Sequence, residues 1–278
     1  MRKFKRFAVL LTVLSTASVN MWTVNANADT DVENQGKIVS ECQGDPGFGM
    51  PSETLEEQLE NFLNNPELTE EQKLAAKSKV EQAISFRDDA MMNVRSVTAT
   101  YPNVTITVTA FKQDYTYYCG PATTRQTMKF LGASVPGGYI PPSQSYIASA
   151  LGTTTAGTEW YMIRDYINGF TFMGVANNYV AYNPSSVSDM ESTIYSTLTA
   201  THKTAPILQV DTNGNTCLGY QTGGHYLNVS GIRTSGGINE FRLTDPFREW
   251  NNLSPTYYAK TSDVYQITKN HWAQHFLY

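Results

Sequence analysis

Three short segments carry residue types suited to nucleophilic chemistry. Gln113 stands five residues ahead of Cys119-Gly120-Pro121-Ala122, His225 lies in Gly223-Gly224-His225-Tyr226, and Asp245 lies in Thr244-Asp245-Pro246-Phe247. A thiolate attacks carbonyl carbon, so a nucleophilic cysteine must be reachable and easily deprotonated, and the partial positive charge of a helix N-terminus favours this. Cys119 sits at such a helix start. Gly120 lets the backbone approach a neighbour closely, and Pro121 suits the first helical position. His225 can accept the thiol proton, leaving a thiolate–imidazolium pair, and later protonate a leaving amine. Asp245 can hold the other ring nitrogen, because an antiparallel hairpin brings the two positions side by side. Gln113 can donate from its side-chain amide, together with the Cys119 backbone N–H, to a developing oxyanion. Each residue also has an ordinary alternative: a buried thiol, a core histidine, a turn-opening aspartate, a surface glutamine. Tyr115, Tyr117 and Tyr118 either line the rim of a cleft or simply pack.

These side chains need elements to position them, and the chain supplies helices first and strands later. Leu55, Leu59, Phe62 and Leu63 fall on one face of a helix that Ser52 can cap and that ends near Asn64-Asn65-Pro66. Thr69-Glu70-Glu71-Gln72 is a capping box, and Ala76, Val80, Ala83 and Ile84 line one side of a second helix reaching about Met92. The alternation Val104-Thr105-Ile106-Thr107-Val108 predicts a strand. Helices follow over 121–131, 143–151, 158–168 and 188–198, the first three stopped by Gly132, Gly152 and Gly169. The last opens on Ser188 with Glu191 as its box and puts Met190, Ile194 and Leu198 on one side. Strands are expected over 207–210, 226–232 and 240–243, and Asn213-Gly214 signals a two-residue hairpin. A helix-rich half followed by an antiparallel half predicts an α+β fold with one cleft between its layers.

The ordered set Gln113, Cys119-Gly120-Pro121-Ala122, Gly224-His225-Tyr226 and Asp245-Pro246 resembles the papain-like cysteine peptidases. It is most similar to the bacterial branch related to the double-glycine-leader, bacteriocin-processing peptidases. The resemblance spans residues 111–278. It implies a papain-like peptidase fold, with Cys119 as nucleophile, His225 as base, Asp245 as the orienting residue and Gln113 as oxyanion donor. It further implies a peptide or protein substrate and no cofactor. The peptidases it resembles are usually cytosolic domains fused to membrane transporters, whereas this chain carries an export signal, so a Gly-Gly leader specificity does not transfer.

Charge and targeting set the context. The chain has 278 residues, 41% hydrophobic and 16% charged, enough for one sizeable core. Residues 29–95 hold 15 acidic and 6 basic residues, while 96–278 hold 10 of each. Such a balance argues against a nucleic-acid or anionic-membrane partner, both of which need clustered basic charge. Met1-Arg2-Lys3-Phe4-Lys5-Arg6, an apolar run from Phe7 to Val19, and Ala26-Asn27-Ala28 read as a signal peptide cleaved before Asp29. The expected product is secreted, without stable membrane insertion. Three regions are expected: the signal peptide 1–28, an acidic leader and helical hairpin 29–95, and a peptidase domain 96–278. The hairpin is either a propeptide or docking segment, or a solvated appendage. Cys42 and Cys217 lie in turn-like contexts where a disulfide is one option, and no Cys or His spacing makes a metal site. Asp211, Asn213 and Asn215 open like a calcium loop but lack the later Glu, which favours a turn. The leading expectation is an exported thiol hydrolase of peptide or related amide bonds, and its rival is a catalytically silent peptide-binding module on the same fold.

Overall fold

In the chain's N-terminal third, local sequence builds two helices whose caps can be traced atom by atom. The computed structural model describes residues 41–42, 53–66, 68–92, 99–134, 139–170 and 178–278, with backbone alone at 41–42 and 86–92. The expected signal peptide and most of the expected leader lie outside the described residues, except for β1 (Glu41–Cys42). Helix α1 (Leu55–Asn64) is capped by Thr54 and not by Ser52: Thr54 Oγ1 accepts from the Glu57 N–H, and the Glu57 carboxylate accepts from the Thr54 N–H. Thr54 wins because it directly precedes the first apolar residue and has a glutamate three positions on. Leu55 is buried on this helix, whereas Leu63 is exposed, so its apolar face is narrower than expected. Helix α2 (Glu70–Met92) starts from the Thr69/Gln72 box, with Gln72 Oε1 accepting from the Thr69 N–H at 2.7 Å. Ala76, Val80 and Ala83 are fully buried along its inner side.

Strand β2 (Val104–Thr105) is shorter than the alternation predicts. One further bond, from the Ile106 N–H to the Ser230 carbonyl, continues the pairing. Helix α3 (Cys119–Leu131) begins two residues earlier than expected, so Pro121 takes the third helical position, still in the first turn, where its missing N–H costs nothing. Helix α4 (Gln144–Leu151) is capped by Ser143 and closed by Gly152 at φ 64°, and α5 (Trp160–Asn168) ends at Gly169. Strand β3 (Ala181–Tyr182) precedes α6 (Val187–Thr199). The cap of α6 is Ser186, not Ser188, and Ser186 Oγ accepts from the Asp189 N–H. Glu191 instead points inward, accepting from Asn239 Nδ2 at 3.0 Å and from the Thr261 hydroxyl.

The second half forms the sheet. Its strands are β4 (Ile207–Val210), β6 (His225–Ser235), β7 (Ile238–Thr244), β8 (Thr256–Lys260) and β9 (Phe276–Leu277); β5 (Gln221–Thr222) stays outside it, and α7 (Thr261–Asn270) follows β8. The sheet is antiparallel in the order β3-β9-β4-β6-β7-β8, with β2 also on β6. Long β6 serves several partners because a bulge between Val229 and Gly231 bends it. At Gly231 a β-carbon would lie 2.7 Å from the Val104 carbonyl oxygen, so only glycine admits the crossing strand. Gly236 and Gly237, both at positive φ, make the β6–β7 turn. Asn213 and Gly214 also take positive φ and form a turn, but β4 pairs with β6 and β9, so no hairpin follows from it. Instead β5 pairs in parallel with β1, Gln221 opposite Glu41 and Thr222 opposite Cys42.

Residues 38–278 form one compact unit. The α1–α2 hairpin is joined to β3 and the strands beside it by buried hydrogen bonds. The Gln58 amide copies a peptide group, donating to the Ala181 carbonyl at 2.9 Å and accepting from its N–H at 2.7 Å. Lys79 Nζ donates to the carbonyls of Asn178 and Tyr278, and burial lowers its pKa to about 7. Ahead of α1, Glu53 pairs with Arg164 of α5 at 2.6 Å. The core between helices and sheet holds Trp160 and Ile163, Met190 and Ile194, and Leu208, Leu227 and Phe241, all fully buried. Burial of each such side chain contributes roughly 1.5–3 kcal/mol.

A polar seam fixes α3 on β6. Thr123 Oγ1 donates to the Tyr226 carbonyl, Gln126 Nε2 donates to Asn228 Oδ1, and Asn228 Nδ2 donates to Thr127 Oγ1, each at 2.9 Å and fully buried. Substituting Asn228→Leu leaves Gln126 and Thr127 without these partners, each buried group costing about 1–3 kcal/mol. The expected loss is about 2–4 kcal/mol in urea unfolding with an unchanged slope. A loss below about 0.5 kcal/mol would show that the seam does not hold the two layers.

Candidate active site

Three elements of different origin meet around His225. Cys119 is the first residue of α3, and the helix is entered from Tyr118 with the first backbone bond running from the Ala122 N–H to the Tyr118 carbonyl. The helix start approaches the segment before α5 so closely that a β-carbon on Gly120 would lie 2.5 Å from Thr158 Oγ1, which accounts for the glycine. Thr158 is tied in turn to β6, its carbonyl accepting from the Tyr226 hydroxyl at 2.9 Å. His225 opens β6 opposite Val210 of β4. The β6–β7 register sets Asn228 against Thr244; continued by one pair, it puts Asp245 opposite Leu227, a diagonal neighbour of His225 on the same face.

That register is realised in contact. His225 Nε2 meets Asp245 Oδ1 at 3.0 Å, with both side chains shielded from solvent. The Cys119 thiol also hydrogen-bonds to the His225 side chain, so cysteine and aspartate are linked through one imidazole. Burial alone would lower the His225 pKa, but the Asp245 carboxylate outweighs it, with a further contribution from Cys119, and raises it to about 9. Burial pushes the Asp245 carboxyl up, yet the facing His225, the Phe247 N–H and the Tyr220 hydroxyl hold it below the ordinary carboxylate value.

Gln113 is buried beside these three. Its N–H donates to the Pro246 carbonyl, directly after Asp245, and its carbonyl accepts from Trp250 Nε1. Its side-chain amide is engaged locally, Nε2 donating to the carbonyls of Tyr115 at 2.8 Å and Thr116 at 2.9 Å. Both bonds brace the loop that delivers Cys119, so donation to an oxyanion requires one of them to be exchanged. Tyr115, Tyr117 and Tyr118 pack ring against ring at 4.8–5.7 Å in this loop, and Tyr115 is the most exposed of them. Cys119, His225 and Asp245 have no solvent exposure and Gln113 has 1%. A substrate therefore reaches the sulfur only after a covering group moves.

Two further residues enter the site that residue patterns did not reveal. Asp245 Oδ2 accepts from the hydroxyls of Tyr220 at 2.8 Å and Tyr257 at 3.3 Å. Tyr257 reaches it through the β7–β8 register, which sets Thr256 against Thr244, and a pairing of that kind leaves no spacing rule in the sequence. Cys217 is a free, half-buried thiol whose pKa is pushed up to about 12 by burial and by Asp263 and Asp245, so it stays protonated at neutral pH. The side chain of Cys42, its suggested disulfide partner, lies outside the described residues. His271 and His275 are buried packing residues; burial lowers their pKa to about 4 and about 3, and His275 Nε2 lies 2.8 Å from Gln209 Nε2. No group of three or more His, Cys, Asp or Glu suited to a metal ion exists among the described residues, and no helix there is long and apolar enough to cross a membrane.

Comparison with known proteins bears on this geometry. Residues 105–273, more than half of the chain, match the Peptidase_C39 like family. No curated protein matches. Among solved structures, the chain is similar to digestive procathepsin L 3 of the Tenebrio molitor larval midgut, with 11% identity, a TM-score of 0.45, and coverage of 82% of this chain and 99% of that one. It is also similar to bromelain from Ananas comosus in complex with the E64 inhibitor, with 15% identity, a TM-score of 0.42, and coverage of 62% and 93%. A third is proCathepsin B S9 from Trypanosoma congolense, with 10% identity, a TM-score of 0.41, and coverage of 59% and 72%. The chain belongs to the Peptidase_C39 like family and is a cysteine peptidase.

Proposed function

We propose that the protein is an exported thiol hydrolase that cleaves peptide bonds through Cys119, His225 and Asp245, with Gln113 assisting. The single observation that carries this reading is the hydrogen-bonded link from the Cys119 thiol, at a helix start, through the His225 ring to the Asp245 carboxylate. With Nε2 turned to Asp245, Nδ1 is the ring nitrogen left for sulfur. It takes the thiol proton, and the thiolate adds to the substrate carbonyl carbon. The first turn of α3 directs backbone N–H groups and the positive end of its dipole toward the oxyanion that forms. When the tetrahedral species collapses, the imidazolium gives its proton to the departing amine and an acyl-thioester remains. A water then loses a proton to Nδ1 and attacks that thioester, releasing the acid and restoring the thiol. The rival reading, a silent peptide-binding module, draws on the full burial of Cys119 and the engaged Gln113 amide. Iodoacetamide separates the two: rapid labelling of a single thiol near neutral pH supports the enzyme, and slow uniform labelling the binder.

The N-terminal segment fits a latency role in this reading. Strand β1 of the leader lies along β5, which ends three residues before His225, while the hairpin is anchored at β3. In this reading the leader strand, more than the hairpin, obstructs the approach to the histidine. Secreted material should begin at Asp29. Protein lacking residues 29–52 but keeping the hairpin should hydrolyse peptides faster than protein beginning at Asp29; equal rates would leave β1 with a packing role only.

Cys119→Ala should abolish hydrolysis and His225→Ala should come close to it, because members of one unit share a single loss. Asp245→Asn should cost less, and Gln113→Ala about 10²–10³ in turnover. The proton for the leaving amine resides on His225, whose pKa is raised to about 9, so kcat/KM should fall as pH rises through about 9. Full activity in Cys119→Ala, measured on a peptide library, would sink the mechanism.

A further inference from the structure

Asp245 is held at both of its oxygens. Oδ1 faces His225 Nε2 at 3.0 Å and accepts from the Phe247 N–H at 2.9 Å, while Oδ2 accepts from Tyr220 and Tyr257. The carboxylate has no solvent exposure, so water does not supply these contacts. If Oδ2 lost its donors, the group would carry an unpartnered charge in a dry site, and it would either rotate or take up a proton. Rotation would misalign Oδ1 on the imidazole, and protonation would remove the charge that stabilises the imidazolium.

Tyr220 does more than donate. Its ring meets the His225 ring edge-on at 5.7 Å and the Phe247 ring at 4.8 Å, and Phe247 lies 6.2 Å from His225. One residue thus touches the acid and walls the imidazole. Tyr257 is set by a different neighbour. The Arg248 guanidinium lies 3.7 Å from its ring centre and is itself pinned by the carbonyls of Leu218 at 2.6 Å and Ser254 at 2.8 Å. Burial, followed by Asp245, raises the Tyr257 phenol well above its ordinary pKa, so it remains a proton donor at working pH. The titratable or charged groups around the pair are Cys119 of α3, Tyr220 and Cys217 of the loop before β5, Arg248 of the turn after β7, and Tyr257 of β8.

We propose that Tyr220 and Tyr257 are positioning residues for catalysis, their hydroxyls holding the Asp245 carboxylate ionised and aimed so that it orients the His225 ring toward Cys119. The proposal rests on the peptidase reading for its consequence in rate, but its structural content concerns the histidine alone. Replacement by phenylalanine keeps each ring and deletes one hydroxyl.

The test uses full-length mature protein carrying Tyr220→Phe, Tyr257→Phe or both. The His225 protonation midpoint is followed by NMR of ¹³C-labelled histidine, alongside kcat/KM against pH and the thermal midpoint. Tyr220→Phe should move the His225 midpoint down from about 9 by about one unit, shift the alkaline limb of kcat/KM with it, and lower kcat about tenfold with KM nearly unchanged. Tyr257→Phe, which removes the longer bond, should do the same to a smaller extent. A histidine midpoint unchanged in both variants would overturn the proposal, even if activity fell, because an effect through packing alone lowers activity while leaving the titration in place. Should Tyr220→Phe fail to fold, Tyr257→Phe at the half-buried position decides. Wild-type protein inert toward peptides would count against the peptidase reading, while the NMR midpoints would still settle the role of the tyrosines.

Discussion

A carboxylate with no access to water is the constraint around which the site is organised. Desolvating an isolated ionised carboxylate is costly enough that the group would ordinarily take up a proton. Asp245 avoids this because an imidazole, a backbone N–H and two phenols converge on it from β6, the turn after β7, the loop before β5 and β8. Its own N–H is held by the Pro255 carbonyl, so the backbone is fixed as well as the side chain. The end of β7 and the start of β8 thereby meet at the carboxylate that faces one histidine. The pair's contribution to stability depends on pH. His225, raised to about 9, contributes stability that is fully present below about pH 6.5 and is lost as pH rises through about 9, whereas Asp245, held low, contributes stability that is lost on strong acidification.

Bringing sulfur to that histidine is the task of the helical layer. α3 cannot slide on β6 without breaking the buried bonds among Gln126, Thr127 and Asn228, and its first turn is sealed against Thr158 at Gly120. The loop before α3 is tied to the sheet at the other end of the site, Gln113 bonding to Pro246 and Trp250. Gln144 of α4 closes the frame by donating to the Lys112 carbonyl and accepting from the Asp114 N–H. The cysteine is therefore delivered by a helix clamped at its start and by a loop clamped at both ends. That rigidity is what a thiol–imidazole contact requires, since misplacement on the order of 1 Å lowers rates steeply.

Much of this was legible from residue types. Cys119, His225 and Asp245 could be grouped because a helix start, a strand and a strand end each leave a pattern, and the structure brings the three together; the α+β order of elements followed from the same patterns. Helix ends read well where a glycine terminates them, as at Gly132, Gly152 and Gly169. Caps were misread where two serines or threonines compete: Thr54 displaced Ser52, and Ser186 displaced Ser188 because Glu191 serves a buried network instead. The strand expected at 104–108 is shorter because its pairing with β6 runs only from Val104 opposite Ile232 to the Ile106 bond to Ser230, where the β6 bulge lies. The tyrosine pair on Asp245 and the engagement of the Gln113 amide were not legible. Both depend on register between segments distant in sequence, and register is a property of the assembled sheet.

The hairpin and the leader strand are held with unequal strength. The hairpin buries Ala76, Val80 and Ala83 completely and satisfies its polar groups through Gln58 and Lys79 on the backbone of 178–181 and Tyr278. Among the described residues the leader strand rests on β5 through two residue pairs, and a net backbone hydrogen bond contributes about 0.5–1.5 kcal/mol. Unzipping β1 is thus a small event by comparison with lifting the hairpin. It exposes the edge of a strand that leads directly into Gly223, Gly224 and His225. An extended peptide offers the same row of N–H and C=O groups as the leader does, and strand addition is a general route by which such chains are recognised. A leader strand and a peptide strand offer β5 the same backbone groups, so the edge holds one of them at a time, which is the physical basis of the latency role proposed above.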